Sequence, residues 1–153
     1  MKIVDLLHPE TIISSLQART KDDVLAELAE ALFTFDESLD RTEVIKVLHE
    51  RERLGSTGIG DGVAIPHGKL KSLDKLLIAF ARSIDGVDFD AMDGKPAHLF
   101  FLLVAPEESV GVHLKMLARI SKILKNKATR EQLVQAPDAQ ALYKIIADEE
   151  ERF

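Results

Sequence analysis

The stretch GSTGIGDGVAIPHGK, residues 55–69, holds five of the chain's eight glycines and one histidine set between proline and glycine, His67. With an ordinary pKa of about 6.5, an imidazole keeps a free lone pair at neutral pH. It can attack phosphorus, hold the phosphoryl group and pass it on. Such a transfer runs through a loose transition state, so neighbouring groups act by positioning and by stabilising charge. A cation such as Arg51 and backbone N–H groups suit that task, and a second imidazole, His113, can donate to a phosphoryl oxygen. Ser56, Thr57 and Gly68 are candidates for the loop around the phosphoryl group. Taken singly, each has a plainer reading. His113 is then a capping or core histidine, Arg51, Lys69 and Lys71 are solvated cations, and Ser56 and Thr57 are turn residues.

Competing chemistries fail on spacing. A Walker loop needs four residues between its glycines and then Gly-Lys-Ser/Thr. Here Gly62 and Gly68 are separated by five, and Leu70 follows Lys69. Gly58, Gly60 and Gly62 are evenly spaced and lead into the apolar run Val63-Ala64-Ile65, whereas a dinucleotide fingerprint opens a helix. The five histidines are far apart, with no HExxH pair for a metal, and no GxSxG turn presents a serine nucleophile. The absence of cysteine removes thiolate ligands and thiol nucleophiles. A metal-free hydrolase using His67 as a base lacks a carboxylate partner that can be placed.

The elements that must position these groups follow from periodicity. Ile3–Leu7 is a short apolar entry, and His8-Pro9 marks a turn with His8 on the surface. Thr20 caps a helix with apolar Val24, Leu25, Leu28, Ala31 and Leu32 at helical spacing. Asp40 with Glu43 reads as a capping box for a second helix, with Val44, Val47, Leu48 and Leu54 on its apolar side and Gly55 as its stop. Arg51 falls in its last turn, where the helix dipole favours a cation. Val63–Ile65 is a buried strand that Pro66 and Gly68 bring to an end, leaving His67 at its exit. LLIAFA, residues 76–81, and HLFFLLVA, residues 98–105, are strands covered on both faces. A helix over 110–125 buries Leu114, Leu117, Ile120, Ile123 and Leu124, and Thr129 with Gln132 caps the next. The last helix starts near Asp138, buries Leu142, Ile145 and Ile146, and frays at its acidic end, residues 148–151. His49 and His98 receive no function. Alternating helices and apolar strands make a layered α/β domain with one sheet covered on both faces. Ligands in such folds gather beyond the carboxyl ends of strands, which would bring His67 and His113 to one cleft within reach of Arg51.

Length and composition bound the rest. A chain of 153 residues with 46% hydrophobic and 30% charged residues reads as one soluble domain able to bury a core. The net charge of −6 argues against a general nucleic-acid binder. The N-terminus has no signal-peptide core and no run is long enough to span a bilayer, so the expected location is the cytoplasm.

RERLGSTGIGDGVAIPHGK, with GVHLKMLARIS around His113, resembles enzyme IIA proteins of the phosphoenolpyruvate-dependent phosphotransferase system, in the mannitol/fructose class that includes the nitrogen-related regulatory branch. The resemblance covers nearly the whole chain and implies a single enzyme IIA (type 2) domain over 1–153. It implies an α/β/α sandwich whose mixed, mostly parallel sheet is covered by helices on both faces. It assigns phosphoryl acceptance to His67, at Nε2, assistance to Arg51 and a place beside the phosphorylated ring to His113. It requires neither metal nor nucleotide cofactor. An HPr-like phosphocarrier protein would donate. The group then goes to a sugar permease domain, or the phosphorylation state controls regulatory protein targets, and the single unit favours the regulatory branch. No direct membrane insertion or nucleic-acid contact is implied.

Overall fold

The computed structural model describes residues 1–153. Two short 3₁₀ turns, Ile3–Asp5 and Pro9–Thr11, lead into β1 (Ile12–Ile13). Helices α1 (Lys21–Phe35) and α2 (Arg41–Arg53) follow, each opened by the expected cap. Thr20 Oγ1 accepts from the Asp23 N–H and Asp40 Oδ1 from the Glu43 N–H, both at 3.2 Å. The capping box at Asp40 is only half formed. The Glu43 carboxylate turns instead to the Lys71 N–H at 3.1 Å and the Ser72 hydroxyl at 3.0 Å. The strands are β2 (Gly58–Gly60), β3 (Val63–Ala64), β4 (His67–Leu70), β5 (Leu77–Val87) and β6 (Ala97–Pro106). Three helices complete the chain: α3 (Val110–Lys125), α4 (Lys127–Gln135) and α5 (Ala139–Glu150).

The sheet runs β1-β5-β6-β3-β2, with β4 also paired to β6. It is mixed: β1 with β5, β3 with β6 and β4 with β6 are parallel, whereas β5 with β6 and β2 with β3 are antiparallel. The apolar run of β6 is explained by its two buried faces. Phe100, Leu102 and Val104 pack into a core with α1 and α2. Leu99, Phe101, Leu103 and Ala105 pack into a second core with α3, α4 and α5. Helices therefore cover both faces of the sheet.

β3 and β4 lie end to end on one edge of β6, in the same register before and after Pro66: Val63 faces Leu99 and His67 faces Leu103. The strand expected to stop at His67 is thus only interrupted, because Pro66 lacks an N–H but its carbonyl still accepts from the Leu103 N–H at 3.0 Å. β2 covers the outer edge of β3. β4 has no strand on its outer side, and α2 packs on the face that carries Gly68 and Leu70.

Other expectations are corrected. Leu114 is 60% exposed and Leu117 only partly buried, because the inward positions of α3 are His113, Met116, Ile120, Ile123 and Leu124. Leu54 is 85% exposed, lying past the end of α2. Asn126, not Thr129, caps α4: its Oδ1 accepts from the Ala128 and Thr129 N–H groups, while the buried Thr129 hydroxyl donates to Glu149. The end of α5 does not fray. Glu150 is buried, and its carboxylate accepts from the Ile3 and Val4 N–H groups and pairs with Arg119 at 3.1 Å. His8 is half-buried and stacks on Phe35, with ring centroids 4.2 Å apart. No helix is long and apolar enough to cross a membrane.

Candidate functional site

His67 opens β4 opposite Leu103, so its side chain points to the α3 layer, and Gly68 faces α2. A Cβ at Gly68 would lie 2.5 Å from Val47 Cγ1. Only glycine lets α2 approach the strand so closely. Arg51 lies one helical turn beyond Val47, on the same face, and this close approach carries its guanidinium to the histidine. A helix from each layer therefore reaches the free strand edge, Arg51 from α2 and His113 from α3.

The Nδ1–H of His67 donates to the Ile65 carbonyl at 2.8 Å. A carbonyl can only accept, so in the neutral ring the proton sits on Nδ1 and Nε2 carries the lone pair. Arg51 Nε is 3.4 Å from that Nε2, and Arg51 Nη1 donates to the Gly55 carbonyl at 2.8 Å. Arg51 pairs with no carboxylate. Burial holds the His67 pKa below its ordinary 6.5, and the Arg51 charge acts in the same direction against the hydrogen bond to Ile65. The ring is therefore neutral and nucleophilic at neutral pH.

His113 meets His67 edge-on, with ring centroids 5.5 Å apart. It is 4% exposed, and its Nδ1 is buried with no partner. A proton on Nδ1 would be a stranded donor, costing about 1–3 kcal/mol. The neutral ring accordingly carries its proton on Nε2, the nitrogen left open to the site. Burial first, then His67 and Lys69, push its pKa down to about 4. The three groups, with Gly68 and Lys69, line an open depression of about 600 Å³. Glu50 and the apolar Val47, Leu54, Leu114 and Leu117 complete its lining.

Ser56 and Thr57 stand apart from these groups. Ser56 Oγ donates to the Phe89 carbonyl at 2.6 Å, and the buried Thr57 hydroxyl donates to Glu52. Their hydroxyls hold the loop and do not line the depression. Sequence reasoning missed Glu52, which is paired by Thr57 in the next loop and by Lys21 on another helix, and the exposed Leu54 and Leu114, which it placed in the core. No cluster of three or more His, Asp or Glu side chains is placed to hold a metal ion.

Residues 5–149 match the family described as phosphoenolpyruvate-dependent sugar phosphotransferase system, EIIA 2. The chain belongs to this family. Among EIIA 2 relatives, the nitrogen regulatory protein of Bradyrhizobium diazoefficiens is 44% identical over 147 residues, covering 96% of this chain and 95% of the relative. The fructose-specific EIIABC component of Bacillus subtilis is 40% identical over 146 residues, covering 95% of this chain and 23% of the larger protein. The crystal structure of the nitrogen regulatory protein IIA-Ntr from Neisseria meningitidis superposes with a TM-score of 0.88 at 35% identity, covering 94% of this chain and 98% of that one. The EIIA 2 chain thus aligns with nearly the full length of these regulatory proteins and with under a quarter of the fructose-specific EIIABC component.

Proposed function

We propose that this EIIA 2 chain, folded as one domain over residues 1–153, is a phosphoryl carrier acting mainly as a nitrogen-branch regulatory protein. The observation that carries the chemistry is the unprotonated Nε2 of His67, with the ring fixed by the Ile65 carbonyl and Nε2 set 3.4 Å from a guanidinium that pairs with no carboxylate. An HPr-like phosphocarrier brings a phosphohistidine into the depression. His67 Nε2 attacks phosphorus as the donor P–N bond breaks, and that electron pair returns to the donor imidazole. Arg51 N–H groups and the His113 Nε2–H donate to the phosphoryl oxygens, where negative charge is concentrated. Arg53, Lys69 and Lys71 add a positive local field in a chain of net charge −6. No metal or nucleotide takes part, and the protein works in the cytoplasm.

The near full-length match to nitrogen regulatory proteins supports control of regulatory targets through the phosphorylation state. The fructose-specific relative supports a second reading, in which the group passes to a sugar permease domain. Incubation with phosphoenolpyruvate, enzyme I and an HPr-type carrier is expected to give an acid-labile, alkali-stable phosphate that maps to His67 and is absent in His67→Ala. Label on any other residue overturns the assignment. Loss of the label upon adding a permease and its sugar would favour the transport reading, whereas target binding that differs between phosphorylated and free chain would favour regulation.

A further inference from the structure

Arg51 and Glu52 are consecutive in the last turn of α2 and point about 100° apart. Arg51 turns to His67, and Glu52 turns to the loop that follows. The Glu52 side chain is 6% exposed, and Oε1 accepts from the Thr57 N–H at 3.0 Å while Oε2 accepts from the Thr57 hydroxyl. Lys21, at the start of α1, pairs with Glu52 Oε1 at 3.0 Å. Between Glu52 and Thr57 lies Gly55, whose carbonyl braces the guanidinium. Packing does not hold that carbonyl. A Cβ at Gly55 would have nothing within 4 Å, and neighbouring Leu54 is 85% exposed. The loop is fastened by the Leu54 and Gly55 N–H groups on the Arg51 and Glu52 carbonyls, by the Ile65 N–H on the Thr57 carbonyl, by Ser56 on Phe89 and by the Glu52–Thr57 link, the one buried side-chain carboxylate among them.

We propose that Glu52 is a positioning residue for phosphoryl transfer: by gripping Thr57 it fixes the Gly55 carbonyl, and through it the aim of Arg51. This inference rests on the carrier reading above. A guanidinium displaced by about 1 Å can lose up to two orders of magnitude in rate. A buried carboxylate that mattered only to folding would act equally whether or not Arg51 is present.

The test is rapid-quench transfer from a phosphorylated HPr-type carrier to the full chain. Glu52→Ala is expected to slow transfer at saturating carrier about 10- to 100-fold, with the carrier KM within about twofold of the parent. Glu52→Gln, which keeps an acceptor for the Thr57 N–H, is expected to recover most of that loss. Added to Arg51→Ala, the Glu52→Ala change is expected to cost nothing further, since its target is gone. If Glu52→Ala does not fold, Thr57→Val removes the hydroxyl end of the same link. It is then expected to slow transfer about 3- to 10-fold, again only while Arg51 is present. A folded Glu52→Ala (or Thr57→Val in its place) that transfers at the parent rate, or a loss that persists in full without Arg51, overturns the inference. A parent chain that accepts no phosphoryl group overturns the carrier reading as well, so the two failures are distinguishable.

Discussion

Arg82 and Arg51 solve the same problem in opposite ways. Neither has a carboxylate partner, and both turn to backbone carbonyls. Arg82 is 4% exposed on β5, with Nε donating to Ser14 and Nη1 shared among Leu133, Val134 and Ala136. These last carbonyls end α4 and would otherwise lack partners. Arg51 is half-buried, gives one hydrogen bond to Gly55 and one stretched contact to His67, and keeps its other donors facing the depression. The contrast extends to Glu150, which satisfies two N–H groups and Arg119, and to His113, whose Nε2 faces the depression without a protein partner. Saturated polar groups hold a fold together. Groups left with spare capacity in a native structure mark where something else is meant to bind.

The comparison breaks if stability and transfer fail to separate. Arg82→Met, which strands the α4 carbonyls, is expected to cost about 3 kcal/mol in urea unfolding and to leave transfer to the folded protein unchanged. Arg51→Ala should do the reverse: about a 100-fold slower transfer, with stability within about 0.5 kcal/mol of the parent. An Arg51→Ala chain with parental kinetics would remove that residue from the mechanism.

His113→Ala sharpens the contrast with a smaller effect, about a tenfold slowing, because one hydrogen bond is lost. Its burial also sets a pH dependence. Above pH 6.5 the ring is neutral in both folded and unfolded chains and contributes nothing to the slope. Below that value the unfolded chain takes up the proton first, so stability falls on acidification. The fall is about 1.4 kcal/mol per pH unit, and it ends near the folded value of about 4. Urea midpoints at pH 7 and 5 measure it, and His113→Ala is expected to shrink the difference to the part that His67, whose pKa burial also lowers, contributes. An equal fall in the variant would assign the effect to other groups.

What the sequence made legible was whatever depends on local pattern. The caps at Thr20 and Asp40 announce α1 and α2, the unbroken apolar run announces β6, and the dense motif around His67 marks the strand edge where Arg51 and His113 meet that ring. What stayed hidden depends on partners far along the chain. An acidic end on α5 looks solvated until the N–H groups of Ile3 and Val4 arrive 147 and 146 residues away in sequence. Glu52 is one more charge in a basic-acidic helix end until Lys21 and Thr57 close on it. The phase of α3 was misread for a related reason. Apolar periodicity selects Leu114, because a pattern of hydrophobic residues has no place for an inward histidine. Asn126 alone separates α3 from α4, so the break expected at residue 125 is present and only the cap moves, from Thr129 to Asn126.

The contact between Gly68 and Val47 carries a last consequence. The reach of Arg51 is set by the thinness of the layer beneath it, where a hydrogen atom occupies the place of a methyl group. The spacing of cation and imidazole is thereby written into the floor of the depression, because Val47 and Gly68 themselves form part of its lining. A side chain at position 68 would thus reshape that floor and the gauge between cation and imidazole together.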